Sequence, residues 1–470
     1  MKRPNLLVVF ADQWRNTARG IHDPQIVTPN MDQFAEEAFS TDQAVSGCPL
    51  CSPYRSELLT GRRAVHTGVF GNCMTGYDMC LSPDELCISQ VLKEYGYRTG
   101  YIGKWHLDSP ELNSVSHPVS GAEGWDAYTP PGKMRHGFEY WHAYNAWNDH
   151  LQMHYWEDSS EKIYADAWSP VHETDKALEF MGSVKEQPFA LFLSWNPPHP
   201  PFEKVPKEYY NRYRTLEPDL PPNVEGERFD NQTGEPGFGS REELAEAVRC
   251  YYAAITGLDE QFGRIVSWLK EMELYDQTIV LLTADHGEHL GAHGYVGKHT
   301  WYEESINIPF LMRYPEKLPA GRNDISVETV DIVPTLLGLL DIAIPPSAEG
   351  RCLADWIMCG KKPENEAVYS SAYISRDIFL EAYKEKGLDP KRSGWRCIRT
   401  PEYKYVIEKG YMPEQIPRFL LFDRIADPYE MSPLICRSPW EQPVMARLHS
   451  RLMKHMEETG DLVDCVIPRV

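Results

Sequence analysis

Short apolar runs rich in Val, Leu, Ile and Phe recur along the chain, separated by longer stretches with helical spacing. The runs 6–10, 97–102, 189–195 and 278–282 predict four buried strands, and 309–312 a fifth. Helices are predicted over 85–95, 172–184 and about 242–272, each just ahead of a strand. Continuous apolar strands alternating with helices predict an α/β protein: a large, mostly parallel sheet sandwiched by helices. Sites in such sheets form beyond the C-terminal ends of the strands. Asp12 and Gln13 follow the first run, Lys104 and His106 the second, His199 the third, and Asp285 and His286 the fourth. One polar loop is ordinary. Four that open on the same edge predict a shared site.

From about residue 361 the pattern changes. Runs 395–399 and 404–408, separated by Thr400-Pro401-Glu402, predict a hairpin; 420–423 predicts another strand and 439–459 a closing helix. The chain therefore divides into a large α/β domain over 1–360 and a smaller C-terminal α+β subdomain over 361–470. Residues 213–240, rich in Pro, Gly and Asn, predict a surface loop, and no internal repeat is present.

Composition narrows the partners. With 42% hydrophobic residues the chain of 470 can bury a large core. No run approaches the roughly 20 apolar residues of a membrane-spanning helix. A net charge of −22 argues against nucleic acid, which needs a basic footprint; a small anion remains possible where a few cations are placed locally. The 11 Cys are scattered and odd in number, which points to reduced thiols and not a disulfide scaffold. Met1 leads into the first strand with no signal peptide, so a cytoplasmic location is expected, although a chain trimmed of its signal would look the same.

The sharpest motif is Cys51-Ser52-Pro53-Tyr54-Arg55, continuing to Leu58-Leu59-Thr60-Gly61-Arg62. Pro53 suits a first helical turn and Gly61 a helix end, so Cys51 falls at a helix N-terminus, where negative charge is favoured. Arg55 lies one turn on, along the same face. A structural buried Cys, or a Cys48–Cys51 redox or zinc pair, are the competing readings; no second pair stands at zinc spacing.

This stretch resembles the signature of formylglycine-dependent (type I) sulfatases, within the alkaline phosphatase-like superfamily, in which the Cys is oxidised to formylglycine. Thr28-Pro29-Asn30-Met31-Asp32, Gly103-Lys104-Trp105-His106, Pro198-His199-Pro200-Pro201-Phe202, Asp285-His286-Gly287-Glu288 and Gly297-Lys298 resemble further elements of that family, in order. Near the end, Leu421-Phe422-Asp423 with Asp427-Pro428 and Glu430 resembles its C-terminal strand and turn. The resemblance implies a sulfuric ester hydrolase acting on a sugar or on an aryl or steroid sulfate. The hydrated aldehyde attacks sulfur, and its second hydroxyl later expels sulfate. Carried over by position, the metal ligands are Asp12, Gln13, Asp285, His286 and the modified Cys51. Arg55 holds the diol, Lys104 and Lys298 grip sulfate oxygens, His106 handles the diol proton, and His199 contacts the bridging oxygen, sharing the acid role with Lys298. Many members have Asp at the place of Gln13 and Asn at that of His286. Ca²⁺ stays first among the cations, with Mn²⁺, Mg²⁺ and Zn²⁺ admitted by the imidazole. The same departures resemble relatives that hydrolyse phosphonate monoesters and phosphodiesters, which is the alternative activity. A formylglycine-generating maturation enzyme is the implied protein partner.

Two further groups stand outside these motifs. His289 and His293 are read as loop residues near the site, since Gly287, Gly291 and Gly294 interrupt any zinc-binding helix. Residues 125–168 hold 11 aromatic residues and His136, His142, His150 and His154. About half are expected to pack an insertion and the rest to line the mouth of the site.

Overall fold

The computed structural model describes residues 3–231, 237–362, 366–374 and 377–465; part of the 213–240 loop, residues 232–236, lies outside the described residues. Its centre is an eight-stranded sheet. Asn5–Asp12 lies in the middle, buried along its whole length, because helices cover both faces of the sheet and no residue of the strand needs to meet water. It pairs in parallel with Phe189–Pro198 on one side and Thr278–Ala284 on the other, with Leu6 opposite Ala190 and Ile279. Arg98–Lys104 and then Tyr140–Tyr144 continue the parallel set outward. On the opposite flank Phe310–Arg313 runs antiparallel, followed by Phe39–Thr41 and Gly321–Asn323.

All five predicted strands are present in this sheet; three others were not anticipated. Phe39–Thr41 and Gly321–Asn323 are only 3 residues each, too short for a period to show. Tyr140–Tyr144 reads Tyr-Trp-His-Ala-Tyr, whose aromatic and His side chains mask an edge strand inside the stretch expected to be an insertion.

Three helices matter most for the site. Arg241–Glu271 runs for 31 residues, its first turn capped by the Ser240 side chain accepting from the Glu243 N–H. Ser169–Val184 packs against it and against Phe189–Pro198. Cys51–Thr60 is buried at all 10 positions and ends in left-handed Gly61. A helix buried all round must satisfy its polar side chains internally. Ser56 donates to the Pro53 carbonyl at 2.7 Å, Thr60 to the Ser56 carbonyl at 2.6 Å, and Glu57 accepts from the Ala64 N–H at 3.0 Å.

A second, antiparallel sheet of five strands follows in sequence order: Val368–Ala372, Gly394–Arg399, Tyr403–Gly410, Arg418–Asp423 and Leu434–Cys436. Helix Pro443–Thr459 covers one face through Met445, Leu448, Leu452 and Met456. On the other face Val368, Trp395, Val406 and Phe422 pack with Val45 and Ile306. The second sheet therefore shares a core with loops that border the first. Among the described residues no helix is long and apolar enough to cross a membrane.

Gly103 sits directly before Lys104 with φ +97°, and an added Cβ would lie 2.1 Å from the Ser194 carbonyl oxygen. Only glycine meets both demands. Gly103→Ala is expected to cost about 1–3 kcal/mol in strain and to lower the thermal midpoint by several degrees. An unchanged melting curve by scanning fluorimetry would show that the strand end tolerates a side chain there.

Candidate active site

The parallel strands end on one edge, and the predicted residues meet there. Asp12 closes the central strand and Asp285 follows its neighbour; the Gln13 N–H, in a left-handed turn of φ 67°, donates to Asp285 Oδ1 at 2.9 Å. Both carboxylates are fully buried. Cys51 opens the buried helix, its Sγ 3.6 Å from Asp12 Oδ1, 3.4 Å from His286 Nε2 and 3.9 Å from Lys104 Nζ. Arg55, one turn on, ties the pieces together. It donates to the Lys104 carbonyl and to Ser194 Oγ, both at 2.6 Å, and reaches Asp12 at 2.9 Å and Asp285 at 3.4 Å.

Charge is balanced in a water-poor space. Burial alone would raise the Asp12 pKa, but Lys104, His199, Arg55 and Lys298 hold it well below the usual carboxylate range. Asp285 goes the other way: burial and the Asp12 charge push it up to about 7. Lys104 Nζ pairs with Asp12 Oδ2 at 2.8 Å and donates to Asn196 Oδ1 at 3.1 Å. Lys298 is 5% exposed. Burial works against its charge, yet Cys51, Asp12, Asp285 and Glu288 hold its pKa above the ordinary lysine value.

The ligand atoms of Asp12, Cys51, Asp285 and His286 all lie within 4.8 Å of one another. His286 Nδ1 is 3.1 Å from the Gly287 carbonyl, an acceptor, so Nδ1 carries the proton. The Nε2 lone pair then faces Asp285 Oδ1 at 3.5 Å and Asp12 Oδ1 at 3.6 Å. Two carboxylates repelling one another, one held half-protonated near neutrality, plus a free imidazole lone pair form a donor set that a divalent cation fits. The Gln13 side chain is engaged differently: its carbonyl accepts from Lys298, and its amide donates to Glu288, which also accepts from the Leu290 and Gly297 N–H groups.

His106 adopts φ 54°, stacks on Trp125 with ring centres 6.1 Å apart, and leaves both ring nitrogens without a hydrogen-bond partner. Burial, then Lys104 and Arg55, lowers its pKa, so the imidazole is neutral. His199 lies half-buried at the mouth. Its Nδ1 donates to the Pro200 carbonyl at 2.6 Å, and its own carbonyl accepts from His150 Nε2 at 2.8 Å. Burial, Lys298 and Lys104 lower its pKa too.

The other histidines divide as follows. His136 packs against Trp105, His142 bonds Glu157 and His172, and His154 bonds Asp126, so these three pack the fold. His150 instead braces the His199 loop. His289 bonds Thr300, and His293 stacks on Tyr302 beside Glu304; neither reaches the Cys51 cluster. Sequence reasoning missed Ser194 and Asn196, and gave Glu288 a place in a motif but no role. The first two are polar positions two apart inside an apolar strand, hence on one face, and that signal was readable.

The family described as Sulfatase matches residues 4–342, and the C-terminal part described as N-sulphoglucosamine sulphohydrolase matches residues 291–458. The chain belongs to the sulfatase family. As a member it is a sulfatase, an enzyme of sulfate ester hydrolysis. It is 33% identical to the endo-4-O-sulfatase of Bacteroides thetaiotaomicron, over 92% of this chain and 88% of that protein. It is also 33% identical to the ulvan-active sulfatase of Formosa agariphila, over 98% and 82%. A solved structure from Bacteroides fragilis described as a sulfatase, yidJ, aligns at TM-score 0.85 and 32% identity, covering 98% and 96% of the two chains. A phosphonate monoester hydrolase of Agrobacterium radiobacter aligns at TM-score 0.73 with 21% identity over 97% and 96%, a likeness of fold alone.

Folding raises the Asp285 pKa to about 7, so this carboxyl's contribution to stability is full below the ordinary carboxylate range and is lost as pH rises through about 7. A cation bound there would offset that loss. Chelator-treated sulfatase is expected to bind a divalent cation with an affinity that weakens about tenfold per pH unit below neutrality, as protons compete for Asp285. Calorimetric titration across that range reads the slope; a pH-independent affinity, or no binding, would remove the site.

Proposed function

We propose that this sulfatase cleaves the sulfate monoester of a saccharide, using residue 51 as nucleophile after its conversion to formylglycine, with one divalent cation, Ca²⁺ first among candidates. The observation that carries this reading is Cys51 at a buried helix N-terminus, facing Asp12, Asp285 and His286 on one side and Lys104 on the other. The relatives' names and the N-sulphoglucosamine description of the C-terminal match support a sulfated sugar.

Asp12, Asp285, His286 and residue 51 would hold the cation, which supplies Lewis-acid polarisation of sulfate oxygens and acidifies a hydroxyl bound to it. Arg55 helps keep Asp12 ionised and fixes both carboxylates in place, and its bonds to the Lys104 carbonyl and Ser194 prevent it from swinging away. Lys104, anchored by Asn196, and Lys298, anchored by Gln13, present two ammonium groups to the ester oxygens. Neutral His106, with no bond to surrender, accepts a proton from residue 51. Lys298 retains its proton and is the group able to deliver one to the leaving alcohol. His199, its Nδ1–H committed to Pro200, keeps Nε2 as an acceptor and helps orient that alcohol.

Cys51 is 1% exposed within a helix buried along its length. A maturation enzyme therefore needs this segment before it folds.

The second reading, phosphonate monoester or phosphodiester hydrolysis, shares the scaffold and asks the same cations to meet a differently charged ester. Purified protein is expected to show kcat/KM at least about 100-fold higher on sulfate monoesters than on phosphonate monoesters. Cys51→Ser should fold but lose several orders of magnitude in kcat on sulfate, as when a covalent nucleophile is removed. A reversed preference would favour the second reading, and an active Cys51→Ser would remove the nucleophile.

A further inference from the structure

Next to the catalytic groups opens a cavity of about 400 Å³, within the range of roughly 300–1,000 Å³ for small-molecule sites. Trp125 and Trp147, both half-buried, line it together with Glu123, Asn148, Asp149 and Lys204. Two contacts fasten this lining to the reaction centre, and a third braces the lining itself. Trp125 stacks on His106 at 6.1 Å. Asn148 Oδ1 accepts from Asn196 Nδ2 at 3.1 Å, and the carbonyl of Asn196 holds Lys104. Lys204, five residues beyond His199, pairs with Asp149 at 3.0 Å. A molecule whose sulfate lies against Lys104 and Lys298 has this cavity as the adjoining space.

The lining mixes two chemistries. Indole rings favour a flat face of C–H bonds or an aromatic ring. Asn148, Asp149 and Lys204 offer a carbonyl and amide, a carboxylate and an ammonium at close quarters. A steroid or simple aryl group would strip water from the Asp149–Lys204 pair and from the Asn148 amide and offer no hydrogen bond in exchange, which disfavours it. A pyranose meets both demands, with one face on indole and its hydroxyls on the polar side. Charge narrows the choice further. Glu123 and Asp149 are negative and Lys204 positive, so the ionisable side chains of the lining sum to −1. The reaction centre beside it presents Arg55, Lys104 and Lys298. The lining, with Lys204 as its one cation, is thus net negative, while three cations stand together at the sulfate position.

We infer that this cavity is the sugar subsite, and that it accepts an uncharged ring, a hexose or N-acetylhexosamine, and disfavours a uronate or a second sulfate. Asp149 and Asn148 take hydroxyl hydrogen bonds, Trp147 carries the ring face, and Glu123 repels an anionic substituent. This rests on the sulfatase reading and specifies which sulfated saccharide that enzyme takes.

The test uses the matured, metal-loaded enzyme and three probes: N-acetylgalactosamine sulfates, a sulfated hexuronate and nitrophenyl sulfate. The wild-type enzyme should favour the neutral sugar sulfates over the uronate by at least about tenfold in kcat/KM. Glu123→Lys should shrink that ratio, because it turns the lining charge from −1 to +1. Trp147→Ala should lower kcat/KM on the neutral sugar about tenfold while nitrophenyl sulfate falls less than about twofold. A uronate cleaved as well as the neutral sugars, or Trp147→Ala depressing sugar and aryl substrates equally, overturns the subsite. Binding of unsulfated N-acetylgalactosamine, followed by saturation-transfer NMR on wild type and Trp147→Ala, stands apart from turnover. If no sulfate ester is hydrolysed yet this sugar binds through Trp147, the sulfatase reading fails and the cavity assignment holds. If sulfate esters are cleaved and the sugar does not bind, the cavity assignment alone is wrong.

Discussion

Two carboxylates, Asp12 and Asp285, lie side by side at the ends of adjacent parallel strands, shielded from water. Neither can be solvated, so the fold has to surround them with cations and donors. Removing one partner from a buried charge pair costs about 3–5 kcal/mol, against a total stability of about 5–15 kcal/mol for a typical domain. Charge balance here is thus a condition of folding as much as of catalysis. It explains why Arg55 stands on a helix that water does not reach, and why its guanidinium meets both carboxylates, a backbone carbonyl and Ser194 at once. It also explains the opposed pKa shifts of the pair: Asp12 holds most of the positive neighbours, and Asp285 is left with the raised value.

The second sheet adds no residue to that cluster but fixes what surrounds it. Ser370 donates to the Ser46 carbonyl at 2.7 Å, and Ser46 in turn donates to the Asp285 carbonyl at 2.7 Å. The Trp395 indole donates to the His299 carbonyl at 3.2 Å, and Tyr411 stacks on the His299 ring at 5.7 Å, so the residue after Lys298 is clamped from the C-terminal sheet. Glu303, a few residues on, is held by Arg399, Lys404 and Arg424. Lys298 owes its place to these contacts, because its own loop contains only short helical turns and a two-residue strand.

Much of this was legible in the chain. Asp12, Lys104, His199 and Asp285 each follow an apolar run, and a parallel sheet sends such positions to one edge. Cys51 and Arg55 were marked by Pro53 and Gly61 as belonging to one short helix. Other parts were not legible, for physical reasons. The carbonyl of Gln13 meets Lys298, 285 positions away, and no local pattern encodes such a pairing. The edge strand Tyr140–Tyr144 escaped because its aromatic and His side chains follow the needs of packing on Trp105, Phe138 and His172, not of alternation. Histidine alone was a poor guide: of the four in 125–168, only His150 bonds one of the predicted catalytic residues, His199.

The central claim is that all of this charge is arranged around residue 51 in its oxidised form. Its most direct test is a set of preparations matured to different extents. Mass spectrometry of the peptide containing residue 51 gives the converted fraction, because thiol-to-aldehyde conversion lowers its mass by about 18 Da. The account predicts that kcat on a sulfate ester rises in proportion to that fraction and extrapolates to nothing at zero conversion, while thermal stability stays constant. A rate that tracks total folded protein and ignores the converted fraction would contradict it.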